Sequence, residues 1–135
     1  MIDWKDTTFD YGKGKIKISG ATIGDAYKII LKYAKKRSKI HYSVIINELK
    51  RLGHTKISRR TIGSIVGDVS IQISRVTDPS IYPSSIVVRK DHDTPGEGFW
   101  GVDSGKSPPS DVKTKQQKIK LQEYQKNVFD WASEL

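Results

Sequence analysis

The chain has 135 residues, no cysteine and a formal net charge of +9, with 24 Lys and Arg against 15 Asp and Glu. This length is enough to bury one hydrophobic core, and the lack of cysteine excludes disulfides, thiolate metal sites and a cysteine nucleophile. The sequence has neither an apolar run of about 18 residues nor a signal-peptide pattern, so we expect a cytoplasmic protein without a membrane partner.

The positive charge is concentrated in residues 28–60, which contain eleven basic residues and one acidic residue, Glu48. A surface of this charge density favours polyanions, because each phosphate that is neutralised releases condensed counterions. Nucleic acid is therefore the first partner that the composition indicates. An acidic protein partner, an anionic membrane surface and a merely solvated basic face are the alternatives at this point.

The first twenty residues are predicted to form an N-terminal extension that contains one edge strand. In residues 13–19, KGKIKIS, Ile16 and Ile18 alternate with polar residues, which is the two-residue period of a strand. The first helix is expected to begin at Thr22, because Asp25 follows three residues later in the pattern of a capping box. The predicted apolar face of this helix comprises Ala26, Ile29, Ile30, Tyr33 and Ala34.

A short strand at residues 38–42 and two further helices are predicted next. Ser43 is the expected N-cap of the second helix, and Gly53 ends that helix because glycine tolerates a positive φ. Ser58 is the expected N-cap of the third helix. Glycine costs about 1 kcal/mol relative to alanine in a helix interior, so the sequence is compatible with a third helix that ends at Gly67 and with one that continues beyond it. The predicted inner face of the third helix comprises Ile62, Ile65, Val66, Val69 and Ile73.

The remaining chain is predicted to contain a hairpin, a linker and a last helix. Residues 84–90 and 99–102 are strand-like and are joined by a glycine-rich turn, which favours a β-hairpin. Residues 104–110, SGKSPPS, have the composition of a linker. Residues 111–135 are predicted to form an amphipathic helix whose apolar stripe comprises Leu121, Tyr124, Val128, Trp131 and Leu135.

Helix, short strand, helix, tight turn, helix and hairpin is the order of elements in a winged helix-turn-helix, and residues 21–103 resemble that superfamily. The resemblance implies an α+β fold with three helices and a β-hairpin wing, to which this chain adds a C-terminal helix. It also implies DNA binding, with the third helix in the major groove.

The residues expected to contact DNA begin at the N-terminal end of the third helix. Arg59 and Arg60 are expected to anchor that helix, since arginine bonds guanine edges in a bidentate manner. Hydroxyl contacts to phosphate or base are expected from Ser58, Thr61 and Ser64. Backbone contacts are expected from Lys35, Lys36, Arg37, Lys50 and Lys56, and wing contacts from Arg89 and Lys90.

A second resemblance concerns residues 83–100, PSSIVVRKDHDTPGEGFW. This segment resembles one found in small proteins of phages and other mobile elements. The resemblance implies a regulatory or accessory role in such an element, and it implies no catalytic residues.

Motifs that would indicate catalysis are incomplete. Gly96, Gly98 and Gly101 match G-x-G-x-x-G, but a proline-containing linker follows where a dinucleotide-binding fold needs a helix. The three histidines share no ligand spacing, and the chain has no serine nucleophile elbow. We therefore expect no enzymatic activity, no cofactor and no metal ion.

Three partner hypotheses remain beside duplex DNA. A homodimer is expected to use Tyr124, Val128 and Trp131 of the last helix. A protein-interaction module, such as a phage- or plasmid-encoded inhibitor or accessory subunit, would use the same basic face. A single-stranded DNA-binding protein would stack bases on aromatic side chains such as Phe99 and Trp100.

Overall fold

The computed structural model describes residues 2–90, 94–95 and 115–135 of the chain. The fold is α+β, as expected, with four helices and short strands in the described residues. In chain order the elements are β1 (Thr7–Asp10), β2 (Lys15–Ile18), α1 (Gly20–Lys35), β3 (Ile40–His41), α2 (Tyr42–Arg51), α3 (Arg59–Ser74), a 3-10 helical turn (Pro83–Ile86), β4 (Val87–Val88) and α4 (Lys115–Ser133).

The N-terminal residues form a β-hairpin that belongs to the folded domain. Strand β1 pairs with β2 in antiparallel register, with Thr7 opposite Ile18 and Asp10 opposite Lys15. The sequence predicted β2 from its alternation but gave no signal for β1. Ile18 is buried in the core, and Phe9 and Ile16 pack against it.

Helix α1 begins at Gly20, two residues earlier than predicted. Its N-cap is Ser19, whose hydroxyl accepts a hydrogen bond from the Thr22 N–H at 3.2 Å, so Thr22 is not the cap. A Cβ on Gly20 would lie 2.0 Å from the Trp4 carbonyl oxygen, and one on Gly24 would lie 2.8 Å from the Trp4 ring. The glycines are thus required by the N-terminal segment that packs across the start of α1, a contact that helix periodicity does not reveal.

Helix α2 also begins earlier than predicted. His41 is its N-cap and makes no side-chain capping bond, so Ser43 lies inside the helix and is not its cap. The predicted C-terminus is confirmed, since Gly53 has a φ of +89° and its N–H donates to the Lys50 carbonyl at 3.0 Å.

Helix α3 begins and packs as the sequence predicted. The Ser58 hydroxyl accepts from the Thr61 N–H, and the Thr61 hydroxyl accepts from the Ser58 N–H, which completes a capping box. The helix continues through Gly67 to Ser74. All five predicted inner-face residues are buried: Ile62, Ile65, Val66, Val69 and Ile73.

The predicted strand at residues 84–90 is largely a 3-10 turn, and only β4 is extended. Strand β4 pairs with β3 in parallel, with Ile40 opposite Val87 and His41 opposite Val88. The second strand of the predicted hairpin, residues 99–102, and the linker, residues 104–110, lie outside the described residues.

Helix α4 packs its apolar stripe on its own domain. Leu121 and Val128 are buried, and Trp131 packs against the core cluster. Tyr124 meets the Tyr82 ring edge-on at 5.2 Å. The expected dimer contact stays a prediction for Tyr124 and Trp131, which are partly exposed, whereas Val128 is buried within its own chain. Leu135, the last predicted member of the stripe, is 61% exposed.

Candidate nucleic-acid interface

The N-terminal hairpin lies along one face of α3. The Lys5 N–H donates to the Gln72 side chain, and the Thr7 hydroxyl donates to the Asp68 carboxylate, both at 2.8 Å. The Tyr11 hydroxyl donates to the Ser64 hydroxyl at 2.8 Å. The three partners on α3 are Ser64, Asp68 and Gln72. They are four residues apart and therefore share one face of the helix. This register brings the turn of the hairpin to the N-terminal end of α3.

Two basic side chains of the α2–α3 region are held by the hairpin. The guanidinium carbon of Arg60 lies 4.7 Å from the Tyr11 ring centroid, within the range of a cation–π contact. The Lys56 ammonium donates to the Lys17 carbonyl at 3.2 Å. These contacts restrict both cations while leaving them at the surface, since Arg60 and Lys56 are exposed.

The resulting surface, which we name the hairpin–α3 patch, consists of Lys13, Lys15, Lys56, Arg59 and Arg60. All five residues are exposed, and none forms an ion pair with a carboxylate within the part of the chain that the structure describes. Because these cations are not held in ion pairs, they remain available to an anionic ligand.

The carboxylates around the hairpin have partners of their own. The Gly20 N–H donates to Asp6 at 2.7 Å and lowers the pKa of that carboxyl below its ordinary value, and Lys17, 3.5 Å away, lowers it further. Asp68 is buried and bonded to Thr7 and Gln72. Asp10 is exposed and accepts from the Gly12 N–H in the hairpin turn. Of these, Asp10 alone offsets the charge of the patch at the surface.

The predicted reader residues of α3 divide into two groups. Arg59 and Arg60 are exposed, as a DNA contact requires. Thr61 is only 2% exposed and its hydroxyl donates to the Lys56 carbonyl at 2.8 Å, so its prediction as a contact is corrected. The hydroxyls of Ser58 and Ser64 are engaged in the capping box and with Tyr11.

One position on the outer face of α3, Gly63, is uncovered in the second turn of the helix. Arg59, Gly63 and Gly67 are four residues apart and follow one another along the helix surface. Gly63 is exposed, and a Cβ built there would meet nothing within 4 Å. Packing among the described residues therefore gives no reason for a glycine at this position.

The structure separates one predicted group of contacts from the patch. Helix α1 has 16 residues and is about 24 Å long. Its first turns contact the α2–α3 turn through Thr22 and His54, whereas Lys35, Lys36 and Arg37 lie at its far end. Arg37 also pairs with Asp130 of α4 at 3.0 Å. These three predicted contacts thus lie at the opposite end of α1 from the α2–α3 turn, while Lys50, in the last turn of α2, lies next to that turn.

The predicted wing contacts lie partly in the described residues. The Arg89 N–H donates to the Thr94 carbonyl at 2.8 Å, and the guanidinium donates to the Thr94 hydroxyl at 3.2 Å. Arg89 is half-buried and Lys90 is exposed. The described part of the segment thus presents Lys90 to solvent more fully than Arg89.

A residue that the sequence analysis missed, His54, fixes the α2–α3 turn. His54 Nε2 lies 2.7 Å from the Asp25 carboxylate, and His54 Nδ1 lies 2.9 Å from the Thr22 hydroxyl. The imidazole is mostly buried, with 16% of the side chain exposed. It therefore ties the α2–α3 turn to the start of α1. Spacing analysis considered this histidine only as a metal ligand and could not find its partners.

Other classes of site are not formed by the described residues. In that part of the chain no three His, Asp or Glu side chains come together as a metal site; Asp91, His92 and Asp93 lie outside it. None of the described helices combines the length and the apolar content that crossing a membrane would need.

Comparisons of the chain with protein-family models, with curated proteins and with solved structures found no match.

Proposed function

We propose that this chain is a DNA-binding protein of the winged helix-turn-helix type, in which α3 enters the major groove of duplex DNA. The observation that carries the proposal is the pair Arg59 and Arg60, exposed at the start of a capped helix and without a carboxylate partner in the described residues. An arginine fork is suited to phosphate and to guanine edges, and reader helices present such residues at their N-terminal end.

The surroundings of the two arginines support this proposal. Lys56 and Lys50 flank the helix start and would contact the phosphate backbone on either side of the groove. Gly63 leaves the helix backbone uncovered, which would let the floor of a groove approach α3 closely. In this proposal binding is the function, and no cofactor or reaction is needed.

The wing and the biological role belong to the proposal as well. The wing would comprise residues 84–102, to which the described part contributes β4 and exposed Lys90. The resemblance of residues 83–100 to segments of phage and mobile-element proteins supports a regulatory or accessory role in a cytoplasmic host environment.

The test is binding of the full chain to fluorescent duplex DNA of random sequence, followed by anisotropy between about 50 and 200 mM salt. Single-stranded DNA of the same length is measured alongside. The proposal expects steeply salt-dependent binding to duplex that Arg59→Ala and Arg60→Ala each weaken by about tenfold.

The matched control is Arg75→Ala, which removes the same charge from an exposed site at the other end of α3, about 24 Å from Arg59. It should bind like the unchanged chain. No binding at low salt, or equal losses in all three variants, would contradict the proposal and favour a protein-interaction module. Tighter binding to the single strand would favour a single-stranded DNA-binding protein.

A further inference from the structure

The turn of the N-terminal hairpin is a narrow, ordered loop that carries two exposed lysines. It is closed by a hydrogen bond from the Tyr11 N–H to the Gly14 carbonyl at 3.0 Å, and Gly12 adopts a φ of +82°. A Cβ at either glycine would meet nothing within 4 Å, so the turn stands clear of the domain. Lys13 lies in this turn, and Lys15 is the first residue of β2; both side chains are exposed.

The turn is nevertheless fixed in position relative to α3. Tyr11 bonds Ser64 through its hydroxyl and stacks its ring on the Arg60 guanidinium, and Lys17 accepts from Lys56. A cation that rests on an aromatic face keeps its N–H edge available for hydrogen bonds. The hairpin therefore holds its own lysines at a defined place beside the arginines that the proposed function assigns to DNA.

The chemistry of this surface favours a phosphate backbone over a protein partner. Protein interfaces are built around a desolvated apolar or aromatic centre. None of the exposed large apolar side chains of the described residues belongs to the hairpin–α3 patch: Leu52 caps α2, Val76 follows the end of α3, and Ile119 and Leu135 lie in or after α4. The hairpin–α3 patch thus offers charge and hydrogen-bond donors from three chain segments, which is what a sugar-phosphate backbone requires.

We propose that the β1–β2 hairpin is a second DNA-contacting element, which places Lys13 and Lys15 on the phosphate backbone of the duplex beside the groove that α3 occupies. This inference rests on the proposed function and deepens it. The winged helix-turn-helix resemblance implies that residues 84–102, as the wing, contact DNA beside the reader helix. The present inference adds a DNA contact from the N-terminal hairpin.

The test compares the full chain carrying Lys13→Ala and Lys15→Ala with a chain carrying Arg75→Ala and Lys118→Ala. Both double variants lose two exposed positive charges, and the control pair lies on the far end of α3 and on α4. Affinity for a random-sequence duplex is measured over a salt series, after circular dichroism has shown that both variants are folded.

Each phosphate contact contributes about 0.9 to the slope of log affinity against log salt for duplex DNA. The hairpin variant should therefore lower that slope by about 1.8 and weaken binding by about tenfold or more near 0.1 M salt, with little dependence on DNA sequence. The control variant should keep the slope of the unchanged chain.

Arg59→Ala, measured in the same series, separates this inference from the proposed function. If Arg59→Ala weakens binding while the hairpin variant behaves like its control, the hairpin inference is overturned and the proposed function stands. If the hairpin variant alone weakens binding, the role of α3 is overturned instead. Equally tight binding of the unchanged chain to poly-glutamate would overturn both in favour of an acidic protein surface.

Discussion

The guanidinium of Arg60 lies over the ring of Tyr11, 4.7 Å from its centroid, although 48 residues separate the two in the chain. The same tyrosine bonds Ser64 one helical turn further along α3. A single side chain of the hairpin thus sets both the position of the hairpin turn and the conformation of an arginine that we assign to DNA. Prior ordering of that arginine reduces the rotamer entropy lost on binding.

Substitutions at Tyr11 should separate the hydroxyl from the ring. Tyr11→Phe removes the bond to Ser64 and should lower the free energy of unfolding by about 1 kcal/mol, while the ring still supports Arg60. Tyr11→Leu removes the aromatic face as well and should weaken duplex binding several-fold, since the cation–π contact is worth about 0.5–1 kcal/mol at an exposed site. Urea unfolding and anisotropy measure the two effects. Equal DNA affinity in the two variants would show that the ring does not position Arg60 for binding.

Gly63→Ala should change stability and binding in opposite directions. The added methyl group meets no neighbour and replaces a poor helix former, so the free energy of unfolding should rise by up to about 1 kcal/mol. The same methyl group would stand between α3 and a groove floor, so duplex affinity should fall. Thermal unfolding and DNA titration of one preparation test both parts. A stabilised variant with unchanged affinity would mean that the ligand does not approach this face of α3.

His54→Ala should destabilise the domain without changing the charge of the hairpin–α3 patch. It removes hydrogen bonds to Asp25 and Thr22 and leaves their oxygens partly buried, a loss of about 1–3 kcal/mol. Urea unfolding measures that loss. His54→Gln, which can retain one of the bonds, should lose less. DNA affinity per folded molecule should be nearly unchanged, and a large loss of affinity in a fully folded variant would place His54 in the interface instead.

Asp130 should make part of the stability depend on acid pH. Hydrogen bonds from Lys126 and then from Arg37 hold the pKa of Asp130 below its ordinary value of 3.8. A carboxyl whose pKa is lower in the folded state stabilises the fold above the unfolded-state pKa, and the effect is lost as the pH falls through the folded-state pKa. Between about pH 5 and pH 3, Asp130→Asn should therefore lose less thermal stability than the unchanged chain. Parallel melting-temperature curves would contradict this assignment.

The sequence predicted those elements whose signals are local. The N-cap at Ser58, the helix end at Gly53 and the inner face of α3 all depend on residues within a few positions of one another. Helix starts at Ser19 and His41 were missed for two different reasons. Ser19 is followed by a glycine and an alanine that carry no periodic signal, and His41 makes no side-chain capping bond.

The candidate site was predicted in part. The exposed pair Arg59 and Arg60 was found from its place at a helix start, but Lys13 and Lys15 were interpreted only as part of an edge strand. Lys35, Lys36 and Arg37 were grouped with the arginines on charge alone. Composition counts charges without locating them, and these three lie at the far end of α1.

The sequence by itself determined the helical segments, their buried faces and the excess of positive charge, because these depend on side-chain type and on spacing within one or two turns. Only the tertiary structure decided that the hairpin lies along α3, that Trp4 covers Gly20 and that β3 pairs with β4. Each of these contacts joins residues far apart in the chain, and their free energy arises from packing and hydrogen bonds that exist only once the whole core has formed.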